Sequence, residues 1–356
     1  GSRMFIERLS IKNLRNISQA DLLLNKKTNV IIGENAAGKT TILEAVDILS
    51  RGKSFRTNKT ESLVKKGKDE LYIGATAGEK RKKLEIYKSK SKTKIVIDGK
   101  EEKRQSALAE GLAVQAIHPN SHFLIEGAPA ERRAFIDWGL FHVEHQFREE
   151  FLKYNKTLRQ RNEALKAKDK NQAKWMEELA YLGEKITSMR ESYLDALMPH
   201  FAYSKDFIMP DYELLFKYDR GWEKGKSLIA ALQDKEDIDL DRGYTSRGPQ
   251  NADLSILLNN EEAHRICSRG QQKLIANIML LSQSKGFFEV KKFPSIMLVD
   301  DLSAELTLEM QEKILERLFE TKSQIFLTAL NDSVLADILN EMEANVFHVE
   351  HGEIAQ

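Results

Sequence analysis

The run Asn29-Val30-Ile31-Ile32-Gly33-Glu34-Asn35-Ala36-Ala37-Gly38-Lys39-Thr40 joins a short apolar segment to a loop with glycine at both ends, and the loop fits G-x-x-x-x-G-K-T/S. The apolar part reads as a buried strand stopped by Gly33. After Gly38 the period changes, and Ile42, Leu43, Val46 and Leu49 fall on one helical face. In a strand, glycine loop and helix of this kind, backbone N–H groups turn inward toward phosphate oxygens and the helix N-terminus adds a favourable dipole. Gly33, Glu34, Asn35, Ala36, Ala37, Gly38, Lys39, Thr40 and Thr41 are therefore candidate nucleotide-binding residues. Lys39 is placed to reach the β- and γ-phosphates, and the Thr40 hydroxyl to bind Mg²⁺.

Such a site needs a carboxylate at the end of a neighbouring strand to hold the metal. Ile296-Met297-Leu298-Val299-Asp300-Asp301 supplies four apolar residues and then two acids. Asp300 is the candidate metal partner, and Asp301 is placed to polarise the attacking water. The two motifs lie about 260 residues apart. The expected fold class is therefore α/β, with an ATPase head assembled from both chain ends and a helical lobe inserted between them.

Charge is uneven along the 356 residues. Between Arg51 and Arg104 there are 18 Lys and Arg against 8 Asp and Glu, while the rest of the chain carries 37 against 46. A near-neutral total thus hides a basic region, densest at residues 80–94, of the kind that attracts a polyanion such as duplex DNA; a solvated lysine-rich hairpin is the plain alternative. The single cysteine, Cys267, excludes an internal disulfide and a four-ligand zinc site. No run of about 18 apolar residues occurs, so a cytoplasmic protein without a membrane partner is expected.

Alternation around Asn13-Leu14-Arg15-Asn16 predicts an N-terminal β-hairpin, and residues 70–99 predict three further strands. Phe147, Phe151, Tyr154 and Leu158, then Trp175, Leu179, Leu182, Ile186, Met189 and Tyr193, mark two amphipathic helices with arms of about 30 Å. Residues 200–255 show no clear period. From residue 268 the α/β pattern returns, with helices near 269–285 and 307–320 and strands at 295–299, 324–328 and 345–354. The expected division is residues 4–130 and 244–356 for the ATPase lobe, including the strand-rich basic part, and residues 131–243 for the helical lobe.

Ser268-Arg269-Gly270-Gln271-Gln272 opens a predicted helix about 30 residues before Asp300. Alone it reads equally as a helix cap. In this order with the other motifs it resembles the signature motif of ABC-type ATPases, and Ser303-Ala304-Glu305-Leu306 resembles their D-loop. With Ile11 to Asn16, Ser50 to Arg56, Gly127 to Trp138, Arg159 to Asn162, Gly248-Pro249 and Ala252 to Leu254, the chain resembles the RecF family over nearly all of residues 4–356. That family resembles the head of SMC proteins.

The resemblance implies an ATP-dependent homodimer in which Ser268, Arg269 and Gly270 of one copy cap the γ-phosphate held by the other. It implies Gln115 as a Q-loop residue touching Mg²⁺, with Asp301, Lys39 and Ser268 as the catalytic set. It further implies a weak, DNA-stimulated ATPase that acts on double-stranded and gapped DNA with RecR and RecO to load recombinase, within DNA repair, replication and the SOS response. Lys53, Arg56, Lys80, Arg81, Lys82 and Lys83 are the candidate DNA contacts. A scaffold that binds ATP and hardly hydrolyses it is the alternative. The chain departs from the family pattern at Asn120, Gln250 and Thr307, and Thr328 stands where many ABC proteins carry a switch histidine. Arg132 and Arg133 serve either a phosphate or an acidic neighbour.

Overall fold

The computed structural model describes residues 4–34, 38–57, 59–330 and 343–356. In chain order its strands are β1 (Ile6–Leu14), β2 (Ile17–Leu23), β3 (Thr28–Ile32), β4 (Glu70–Ala77), β5 (Lys82–Ser89), β6 (Thr93–Ile97), β7 (Lys100–Glu102), β8 (Val114–Ile117), β9 (Leu214–Asp219), β10 (Asp253–Leu258), β11 (Glu261–Glu262), β12 (Ile296–Val299), β13 (Gln324–Ala329), β14 (Asn345–Glu350) and β15 (Glu353–Ala355). The chain divides into two compact units, Gly1–Ser121 with Asn277–Gln356, and His122–Ala276.

The first unit holds two six-stranded sheets. One has the order β2-β1-β4-β5-β6-β7 and is antiparallel throughout. Alternation turns Leu9, Ile11, Ile73, Leu84, Ile86 and Ile95 into the core, as the period of two predicts. The other has the order β15-β14-β3-β13-β12-β8 and is parallel except for the last hairpin. Its central strands are buried on both faces, so β12 and β13 are buried at every position and show no alternation. The Gln324 amide ties the sheets together, accepting from Ile6 N at 2.7 Å and donating to the carbonyls of Ile6 and Asn25 at 2.8 and 2.9 Å.

Helix α1 (Lys39–Arg51) buries Ile42, Leu43, Val46 and Leu49, the face expected from sequence. It stops at Gly52, whose φ of 75° lets its N–H return to Ile48 O at 2.7 Å.

The second unit carries the paired helices Phe147–Lys166 and Met176–Ile208, joined by a short 3₁₀ turn. Phe147, Tyr154, Leu179, Leu182, Ile186 and Tyr193 are buried as expected, whereas Phe151, Leu158 and Trp175 are only partly covered. The second arm runs 33 residues, through Pro199. Its length of about 50 Å exceeds the expected arm, because buried Phe201 and Ile208 anchor the turns beyond the proline.

The segment without a clear period forms a small antiparallel sheet, β11-β10-β9. β9 is nowhere fully buried, which is why it left no pattern. Since β10 pairs with β9, residues 244–276 join this unit, and its limits of 122 and 276 differ from the expected 131 and 243.

Candidate nucleotide site

The glycine loop leaves the carboxyl end of β3, where Gly33 N donates to Ala329 O at 3.2 Å. Asn35, Ala36 and Ala37 lie outside the described residues. Glu34 is exposed. Gly38 precedes α1 with φ 107°, a backbone conformation that favours glycine, and a Cβ there would also press on the Asn16 amide, 2.9 Å from its Oδ1. Lys39 is 6% exposed, and its ammonium donates to Gly33 O at 3.1 Å. Gly38, Lys39, Thr40 and Thr41 line a cavity of ≈ 410 Å³ together with Arg15, Asn16 and Arg56. A helix N-terminus, a lysine and two arginines around one opening form a site for a polyanion.

Arg15 and Asn16 sit in the β1–β2 turn, and Arg56 in the loop after α1. Glu44, buried on α1, accepts from Arg15 Nε and Nη2 at 2.7 and 3.0 Å, from Ser54 Oγ at 2.6 Å and from Arg56 Nη1 at 3.4 Å. One carboxylate thus aims both arginines at the opening. Sequence reasoning missed Arg15 and Glu44 as site residues and placed Arg56 with the DNA contacts. The usable signal was Glu44 itself, an acid set among the apolar residues Ile42, Leu43, Ala45 and Val46 of the helix.

Asp300 follows β12, with its N–H on Ile117 O at 2.8 Å. Its Oδ1 accepts from Thr40 Oγ1 at 2.9 Å and from Thr328 Oγ1 at 2.7 Å. Burial pushes the Asp300 carboxyl up and nearby Asp301 adds to the rise, while the Thr328 and Thr40 hydrogen bonds and Arg56 hold it back. Asp301 has φ 50°; its N–H donates to Thr328 Oγ1 at 3.0 Å and its Oδ1 accepts from Ser303 Oγ at 3.0 Å. The Thr40 hydroxyl and the Asp300 carboxylate meet, and such hard oxygen donors suit Mg²⁺.

Gln115 does not join them. It lies inside β8 opposite Met297, donating from Nε2 to Gln283 Oε1 at 2.7 Å and accepting on Oε1 from Ala116 N at 3.2 Å. A residue at the mouth must lie past the strand end, which here is Ile117.

Within the second unit, exposed Ser268 precedes the helix Arg269–Lys291. Ser268 N donates to Gln271 Oε1 at 2.9 Å and Gln271 N to Ser268 Oγ at 3.2 Å, a reciprocal capping box. Arg269 is exposed and Gly270 partly so. In the first unit Thr307, standing where the D-loop usually ends in Asp, caps the helix Leu308–Glu320 by accepting from Met310 N at 3.3 Å. The change keeps the cap and removes a charge.

Lys53, Lys80, Arg81, Lys82 and Lys83 are exposed. Arg81 approaches Glu7 at 3.3 Å and Lys83 approaches Glu85 at 3.8 Å. Arg132 meets Asp253 at 2.7 Å and three backbone carbonyls, and Arg133 donates to Ala252 O at 2.9 Å, so both serve protein partners. Gln250 accepts from the Tyr154 hydroxyl and donates to the carbonyls of Thr245 and Arg247. It holds its own loop. No helix among the described residues is long and apolar enough to cross a membrane.

A phosphate loop on β3, acids after the adjacent parallel strand system and a signature-like helix cap define the ABC-type ATPase head. The RecF/RecN/SMC N terminal domain family matches residues 5–355. The chain is 34% identical over 357 residues to the DNA replication and repair protein RecF of Shewanella denitrificans, covering 99% of each chain, and 36% identical over 363 residues to that of Pseudoalteromonas translucida, again covering 99% of each. A solved structure described as the recombination mediator protein RecF-ATP in the RecFOR pathway superposes with a TM-score of 0.87 at 25% identity, covering 99% of this chain and 97% of that one. The Smc head domain from Pyrococcus furiosus, bound to the C-terminal domain of ScpA, shares the fold with a TM-score of 0.62 at 15% identity, covering 99% and 95%. The chain belongs to the RecF family of DNA replication and repair proteins.

Proposed function

We propose that the protein is an ATP-dependent, DNA-binding recombination mediator of RecF type. The observation that carries this reading is that Thr40, which lines one opening with Lys39, donates to Asp300, in a chain 34% identical over its length to a protein named for DNA replication and repair. The neighbour described as RecF-ATP supports ATP as the nucleotide.

Lys39 and the loop amides hold the β- and γ-phosphates, and Arg15 and Arg56, anchored on Glu44, add positive charge beside them. Thr40 and Asp300 would hold Mg²⁺, which when bound neutralises charge on the phosphate oxygens. Asp301 orients a water toward the γ-phosphate, its backbone fixed by Thr328 and its carboxylate by Ser303. Ser268, Arg269 and Gly270 cap the nucleotide of a second copy, so ATP makes the homodimer and weak, DNA-stimulated hydrolysis reopens it. Lys53, Lys80, Arg81, Lys82 and Lys83 meet backbone phosphates of double-stranded or gapped DNA, contacts that weaken with salt and ignore sequence. RecR, with RecO, is the expected protein partner, at the nucleoid in the cytoplasm.

Solution mass by light scattering tests the reading, with ADP, ATP or a non-hydrolysable analogue, for the native protein and Ser268→Ala. Mass doubles with ATP and stays monomeric in the variant. A mass indifferent to nucleotide in the native protein would sink the dimer mechanism.

A further inference from the structure

The outer face of the antiparallel sheet carries a row that the nucleotide site does not use. Lys12 on β1 stands opposite Tyr72 on β4, Tyr72 opposite Tyr87 on β5, and Tyr87 opposite Lys94 on β6. Four neighbouring strands therefore present Lys-Tyr-Tyr-Lys in one line. The tyrosine rings lie 4.9 Å apart at 52°, Lys12 Nζ sits 5.6 Å over the Tyr72 ring, and Lys94 Nζ sits 5.5 Å over the Tyr87 ring. Both lysines are exposed and both rings are partly open to solvent.

The charge around the row is one-sided. Asp21 on the same face is taken by Arg8 at 2.9 and 3.0 Å and by Ser10 at 3.2 Å, and Glu85 accepts from the Tyr72 hydroxyl at 2.5 Å with Lys83 at 3.8 Å. Lys12 and Lys94 make no ion pair among the described residues. Glu70, at the start of β4, and Glu101 on β7, opposite Val96, are the open acids near the row; they bound it, so a polyanion is confined to the line from Lys12 to Lys94. Gly74 completes the surface: a Cβ there would fall 2.3 Å from the Tyr72 hydroxyl, so the bare backbone lets that ring lean along the sheet toward Glu85.

We propose that this row is a platform for unpaired DNA, with bases stacking on Tyr72 and Tyr87 and flanking phosphates on Lys12 and Lys94. Partly open rings covered only by mobile lysine ends suit a strand whose bases are free: the lysines swing to its phosphates as the bases take the rings, whereas a duplex hides its bases and would leave the tyrosines idle. Three strand spacings of about 4.8 Å put the two lysine positions roughly 14 Å apart, room for a short stretch of single strand. This rests on the DNA reading above and adds which part of a gapped DNA the sheet meets.

The test is fluorescence anisotropy with a labelled oligothymidylate, a blunt duplex and the same duplex carrying a gap, each titrated at several salt concentrations. Tyr87→Val removes a ring and keeps strand propensity; Tyr87→Phe keeps the ring. Expected is an about 5- to 100-fold loss of oligothymidylate affinity in Tyr87→Val, with duplex binding unchanged and Tyr87→Phe like the native protein. Lys12→Gln with Lys94→Gln weakens the same ligand and flattens its salt dependence. An equal loss on duplex, or no loss on the oligothymidylate, overturns the platform. Native protein that binds the duplex and ignores the oligothymidylate overturns it while the DNA reading stands; native protein that binds none of the three overturns both.

Discussion

The Thr328 hydroxyl donates to Asp300 Oδ1 at 2.7 Å while accepting from the N–H of the next residue, Asp301, at 3.0 Å. One buried hydroxyl therefore fixes the carboxylate of one acid and the left-handed backbone of the other. The near-isosteric Thr328→Val would strand the Asp301 N–H and leave Asp300 Oδ1 with Thr40 alone, in a site 1% exposed at Thr328, at a cost of about 1–3 kcal/mol. Urea denaturation of Thr328→Val and Thr328→Ser measures it. The serine variant is expected near native stability, and equal loss in both would show that the methyl group, and not the hydroxyl, matters here.

Arg161 and Asp239 are both fully buried and 3.2 Å apart. Burial lowers the Arg161 pKa and Asp239 holds it up. Gln172 and Thr245 take further guanidinium bonds at 3.0 Å, and Ser246 Oγ donates to Asp239 at 2.6 Å. Asp239→Ala leaves a buried cation without its counter-charge and is expected to cost about 3–5 kcal/mol in equilibrium unfolding. A cost below 1 kcal/mol, roughly that of an exposed pair, would mean that water reaches the pair.

Cys267 adjoins Ser268, and burial pushes its thiol up. Little thiolate is present at neutral pH, so alkylation by iodoacetamide, read by mass spectrometry, is expected to be slow and to climb with pH beyond the ordinary thiol range. A rate already level at neutral pH contradicts this. If a second copy covers Ser268, ATP slows the same reaction.

Gly74→Ala would drive a methyl against the Tyr72 hydroxyl, 2.3 Å from the ideal Cβ. Displacing that ring breaks its bond to Glu85, and thermal unfolding should register a loss of about 1–3 kcal/mol. Unchanged stability would mean the ring swings clear at no cost.

The phosphate loop was legible because the hydrophobic period changes from strand to helix around two glycines, and Asp300 because four buried apolar residues lead into it. Both are local signals. Arg15 and Arg56 carry no such mark: they come from two separate loops and reach the cavity only because Glu44 gathers them, a contact made by folding. Gln115 misled because an apolar stretch shows where a strand runs but not where it ends. β9 escaped notice since a half-covered strand on a three-stranded sheet needs no alternation. Ser268 was open between cap and signature, and its geometry makes it a cap whose exposed position leaves the second role available.

The phosphate-loop strand β3 has β13 on one side and β14 on the other, both later than residue 323. During synthesis its two flanks are therefore bare until nearly the whole chain has left the ribosome. The inserted unit, His122–Ala276, is contiguous in sequence and is synthesised before either flanking strand. Without β14, the loop's strand would be open along one edge. The phosphate loop thus hangs from a strand whose order depends on segments about 300 residues further along the chain.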